Sequence, residues 1–126
     1  MSTEIVEHAR EYDAFESDED AEETVLAVLE TFAERLSEGE AEDLAELLPE
    51  KYAEELRMPA PRHPQEYSLA EFLDRVERRA DLDYDEREEK AAAAATAIAD
   101  AVHGEELDRA REQLPEEYDR LFAAEA

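Results

Sequence analysis

Cysteine, tryptophan and asparagine are absent from this 126-residue chain, and glycine occurs only twice. Without cysteine there is no disulfide, no thiolate nucleophile and no cysteine-based zinc site. Two isolated glycines, Gly39 and Gly104, cannot build a glycine-rich phosphate cradle, which excludes Walker and dinucleotide loops. No run of about 18 apolar residues occurs, so no membrane-spanning helix is expected. The first ten residues lack the basic region and apolar stretch of a secretion signal, which leaves the cytoplasm as the expected location. Sustained period-2 alternation is missing and β-branched residues are scarce, so strands are not expected either.

Acid is what the chain has in excess: 39 Asp and Glu against 13 Lys and Arg, a formal charge of −26. Of the basic residues only Lys51 and Lys90 are lysines. Alanine supplies 23 of the apolar residues, while Leu, Ile, Val and Phe together number 24 of 126, near the compositional border of disorder. A folded chain of this mass exposes about 6,800 Å². Spread over that area, the carboxylates lie roughly 13 Å apart, well inside the Debye length of about 30 Å in dilute buffer and outside the roughly 3 Å of molar salt. Repulsion that loosens the fold in dilute buffer is silenced in concentrated salt. The surface is therefore read as that of a protein from a salt-accumulating organism, carrying diffuse hydrated cations. Direct binding to nucleic acid or to an anionic membrane is not expected, because both need a basic face. Arg75, Arg78, Arg79 and Arg87 come nearest to one, and they read as helix arginines paired with neighbouring acids.

Apolar residues recur at helical spacing throughout. Ile5, Ala9 and Tyr12 define a first helix over 3–12. Ser17 caps a second, with Val25, Val28, Leu29, Phe32 and Leu36 on its apolar face and Gly39 as its expected C-cap. A shorter helix carries Ala41, Leu44, Ala45 and Leu48, and Pro49 opens a further turn or two with Tyr52 and Leu56. Three prolines, Pro59, Pro61 and Pro64, mark an extended linker over 57–67. The same grammar then restarts. Ser68-Leu69-Ala70-Glu71 is a capping box ahead of Phe72, Leu73 and Val76. Asp83 is expected to cap a long helix over 84–102 that Gly104 closes, followed by a short helix with Leu107 and Ala110. Pro115 opens the last one, with Tyr118, Leu121 and Phe122.

An offset of 66 residues places Leu48-Pro49-Glu50-Lys51-Tyr52 on Leu114-Pro115-Glu116-Glu117-Tyr118, and Glu22-Glu23 on Glu88-Glu89. The chain reads as an internal duplication, 2–56 and 68–122. In the second copy Val25, Leu26, Val28 and Leu29 are replaced by Ala91, Ala92, Ala94 and Ala95. That predicts a central helix allowing close approach of its neighbours, the alternative being a groove left open for a partner. Neither copy has enough large apolar residues for its own core. The expected fold is all-α: one bundle-like domain over 1–126, with six to eight helices and approximate two-fold symmetry.

Residues able to carry chemistry are scattered. His8, His63 and His103 lie far apart, and no pair has metal-ligand spacing; His103 suits a helix C-terminus. Asp81-Leu82-Asp83-Tyr84-Asp85 fails as a calcium loop, since Glu86 and Ala92 stand where Gly and Glu are required. The four serines sit in N-terminal, capping or helix-end contexts, without a strand-turn-helix elbow. No catalytic, cofactor-binding or metal-ligating residue is assigned, and no cofactor is expected.

Ser68-Leu69-Ala70-Glu71-Phe72-Leu73-Asp74-Arg75-Val76, a long capped helix, and then Gln113-Leu114-Pro115-Glu116-Glu117-Tyr118-Asp119-Arg120-Leu121-Phe122 follow one another in an order that resembles the domain-of-unknown-function 2267 family. Glu34-Arg35-Leu36-Ser37-Glu38-Gly39-Glu40-Ala41-Glu42-Asp43-Leu44 with Leu48-Pro49-Glu50 looks like that family's first half. The resemblance spans residues 5–122 and is similar to members from salt-loving archaea. It implies a compact helical fold and a prokaryotic cytoplasmic protein, and it transfers no catalytic residue. The alanine run 91–95 departs from the larger aliphatics expected there.

The functional expectation is a noncatalytic helical module that binds an unknown protein partner or forms a homo-oligomer. Its face would lie between the halves, near Tyr52, Tyr118, Ala91, Ala94 and Ala95. A second reading is an acidic decoy occupying the basic surface of a nucleic-acid-binding protein. A third is an enzyme with an unrecognised site.

Overall fold

In the computed structural model, residues 4–12, 14–36, 38–57, 68–102, 105–112 and 114–122 are described. Among them every regular element is helical. The order is α1 (Glu4–Arg10), α2 (Asp18–Arg35), α3 (Glu38–Ala45), α4 (Glu50–Arg57), α5 (Leu69–Ala80), a 3-10 turn (Tyr84–Glu86) running into α6 (Arg87–Ala101), α7 (Glu105–Glu112) and a closing 3-10 helix (Glu116–Phe122). The expected linker beyond Arg57, together with His63, His103 and Gly104, lies outside the described residues.

Local chemistry accounts for most helix ends. The Ser17 hydroxyl accepts from Asp20 N–H at 3.1 Å, and Asp18, Glu19 and Asp20 fill the first turn of α2, where the helix dipole favours acids. Ser68 likewise accepts from Glu71 N–H at 3.2 Å. Pro49 and Pro115 each accept, through their carbonyls, the N–H three residues on, Tyr52 and Tyr118, both at 2.9 Å. At the end of α5, Asp81 takes a left-handed conformation (φ 55°) and Leu82 N–H reaches back to Glu77 O at 3.0 Å, satisfying a carbonyl the helix leaves open.

Two expected caps are corrected. Gly39 does not end α2, which stops at Leu36; Gly39 lies in the first turn of α3. Leu36 leaves the helix in an extended conformation (ψ 154°) with its side chain buried. Asp83 precedes the long helix without a side-chain capping bond. The helix starts there as a 3-10 turn, and the Asp83 carbonyl accepts from Glu86 N–H at 3.1 Å instead.

The core runs along α6. Ala91 through Ala99 are all buried, and α6 packs against α1, α2, α5 and the closing 3-10 helix. Over residues 91–99 the helix is enclosed and shows no polar face to solvent, and its alanines let the neighbours approach closely, as the packing reading of 91–95 expects. Around α6, α1 also packs on α2, α5 on α2, α4 on both α2 and α3, and α3 on α7. Phe72 joins α5 to the rest, its ring centroid 4.8 Å from Phe32 and 5.3 Å from Tyr118; Phe122 stacks on Phe32 at 5.8 Å. Aromatic pairs at these distances contribute roughly 0.5–1.5 kcal/mol each beyond area burial.

Candidate functional site

The five residues expected at a partner face are interior. Ala91, Ala94, Ala95 and Tyr52 have no accessible surface, and Tyr118 is 1% exposed. Tyr52 donates its hydroxyl to Glu22 at 3.2 Å, beside Lys51, whose ammonium lies 2.5 Å from the same carboxylate. Tyr118 donates to the Ser68 carbonyl at 3.2 Å, with the Arg35 guanidinium 5.6 Å from its ring centre. Burial pushes the Tyr118 hydroxyl up to about 12. These side chains hold helices together and present no face to a partner.

The arginines do pair with acids, but across helices as well as along them. Glu34 of α2 is a hub: Arg79 reaches it at 2.8 and 3.0 Å and Arg75 at 3.1 Å, both from α5. Burial alone would raise the Glu34 carboxyl, yet the bonds from Arg79 and Arg75 hold it below the ordinary carboxylate range. Arg79 also donates to the Thr31 hydroxyl at 2.9 Å. Arg87 at the start of α6 is bonded to Asp74 and Glu77 of α5 and lies over the Tyr84 ring at 4.3 Å. Lys90 reaches Asp20 of α2 at 3.2 Å. Each of these cations is thus paired with carboxylates of its own chain.

Among the described residues, two openings stand out. One is an apolar cleft where α2, α3 and α4 meet α6, α7 and the closing helix, with Leu36, Leu44, Leu56, Val102, Leu107 and Leu114 in its walls and Arg111 at its edge. Its free space is about 30 Å³, room for the tip of a side chain. Leu107, Leu114 and Phe122 are only partly buried there. Sequence reasoning anticipated apolar positions between the halves but not these, because their exposure depends on how α7 meets α3. The other opening is a shallow acidic groove of about 390 Å³ that contains Glu23, Glu30, Glu55, Asp81 and Arg79. Burial, then the charges of Glu30 and Glu54, raise the Glu55 carboxyl. Among the described residues no group of three or more histidines and carboxylates is arranged to hold a metal ion.

A third cluster joins α1 to α6. His8 approaches Asp100 through Nε2 at 2.5 Å and Glu11 through Nδ1 at 3.0 Å, and Tyr12 donates to Asp100 at 3.4 Å. The imidazole and the Tyr12 ring meet edge to face at 5.8 Å. The sequence placed His8 on a helix surface; its link to a carboxylate 92 residues away had no sequence signal.

Together these features define, among the described residues, an all-helical bundle whose arginines and lysines largely tie one helix to another. The chain belongs to the family described as uncharacterized conserved protein (DUF2267), whose model matches residues 2–121. No curated protein and no solved structure shows a match to it. Among the described residues no helix is long and apolar enough to cross a membrane.

Proposed function

We propose that the chain is a noncatalytic helical interaction module of a salt-accumulating prokaryote's cytoplasm, and that it docks a protein segment presenting an apolar anchor among basic residues. The apolar cleft carries this reading, because it places partly exposed leucines inside a molecule of charge −26. An apolar tip fits the slot, and the acidic surround favours cationic flanks. Two structural echoes support an internal duplication with approximate two-fold symmetry. α1 packs on α6 as α5 packs on α2, and Pro49 and Pro115 play the same part before Tyr52 and Tyr118. The cleft then lies where the copies face one another.

The test uses an amphipathic peptide with leucines on one face and lysines on the other, titrated in molar KCl against the wild type and Leu107→Asp. The expected result is saturable binding that Leu107→Asp weakens about tenfold with unchanged circular dichroism, a few methylenes' worth of lost burial. Sedimentation without peptide reads self-association in the same variant pair. Binding that survives Leu107→Asp, and that appears only when the titration is repeated in dilute buffer, belongs to the acidic surface, which favours the decoy reading and overturns this one.

A further inference from the structure

We propose that His8 is a proton-gated latch that holds α1 on α6, so that rising pH releases the N-terminal helix. The argument begins with donors and acceptors. Both ring nitrogens of His8 face carboxylate oxygens, Asp100 at 2.5 Å and Glu11 at 3.0 Å. An ionised carboxylate only accepts, and a neutral imidazole has a single N–H. The doubly bonded arrangement is therefore that of the imidazolium. Loss of its proton turns a nitrogen lone pair toward a carboxylate and breaks one of the two links.

α1 is a helix that needs such a link. At seven residues it is far shorter than a helix stable alone. Its hold on the bundle consists of buried Ile5, Val6 and Ala9 plus its polar ties. The tie to α6 runs through Asp100, which also accepts from Tyr12. On α1 itself the groups at His8 are Glu11 and Tyr12. On α2, the other helix beneath α1, Asp18 is engaged by Arg10 at 2.7 Å, and Asp20 by Lys90 of α6. Those two pairs rest on a guanidinium and an ammonium group, so His8 is the imidazole among these polar ties.

The direction follows from linkage. The bond to Asp100 raises the His8 pKa above the ordinary 6.5; burial opposes it and Glu11 adds to it. A value raised in the folded state means that the contribution of the latch is fully present below 6.5 and fades as pH climbs through the raised value.

Amide hydrogen exchange over residues 4–10 of the full chain, corrected for intrinsic rates, tests the latch between about pH 6 and about pH 9. In dilute buffer the opening of α1 is expected to increase about two- to fivefold, the range of one partly exposed ion pair, with a smaller rise in molar KCl. His8→Gln is expected to show the wild type's high-pH opening at every pH. An opening that stays constant in the wild type, or that rises equally in His8→Gln, overturns the proposal. Should His8→Gln not fold, imidazole titration of the wild type by NMR decides, since a His8 midpoint at or below 6.5 also overturns it.

Discussion

Ala94 and Ala95 have no accessible surface, so a larger side chain at either place must displace a neighbouring helix. Ala94→Leu is expected to destabilise the fold by about 1–3 kcal/mol or more, read as a lower urea midpoint in molar KCl. An unchanged midpoint would mean that the alanines border free space. At this scale the sequence was informative about residue type and silent about partners. The substitution of Val25, Leu26, Val28 and Leu29 by alanines pointed to the enclosed helix. That Arg75 and Arg79 reach Glu34, 41 and 45 residues away, was illegible, because the pairing exists only once α5 lies across α2. The Asp100 partner of His8 was hidden for the same reason.

Among the helices, the clearest lesson concerns Gly39. It occupies the first turn of α3, and an added Cβ would meet nothing within 4 Å. Gly39→Ala is therefore expected to stabilise the protein by about 0.5 kcal/mol by reducing the freedom of the unfolded chain, raising the thermal midpoint. The C-cap role read from the sequence makes the opposite prediction, since alanine is strained in the left-handed conformation. Ser17 and Ser68 were legible as caps because a hydroxyl ahead of an acidic first turn satisfies a backbone N–H locally. The terminal Leu-Pro-Glu-x-Tyr motifs gave their start but not their helix type: α4 is an α-helix and its counterpart a 3-10 helix. Contacts far along the chain hold the latter, with Thr96 donating to the Leu121 carbonyl at 3.1 Å and Glu117 accepting from Leu69 N–H at 3.1 Å. No local pattern encodes those bonds.

For the whole molecule, the accessible surface is 6853 Å², close to the area expected from mass, and it carries a net charge of −26. Helix content and compactness, followed by far-UV circular dichroism and hydrodynamic radius, are expected to rise together from dilute buffer to several molar KCl. A chain fully compact in dilute buffer would remove the main support for salt adaptation and turn attention to the acidic face as a binding surface. The all-helical class was legible because helix formers and 3.6-residue spacing dominate. The arrangement of helices was less so, since amphipathic helices of similar pattern can pack in more than one order.

The docking of α1 on α6 has a consequence in time. The two helices are separated by residues 11–86. At ribosomal rates of about 5–20 residues per second, α1 waits roughly 5–18 s after its synthesis for α6 to be completed at Ala101. A ribosome stalled ahead of Arg87 holds a nascent chain in which α1 lacks one of the two helices that cover it. Val25, Val28 and Leu29, all buried in the finished fold, await α5 and α6 as well. Translation speed through residues 58–86 thus sets how long the first half of this protein remains unfinished.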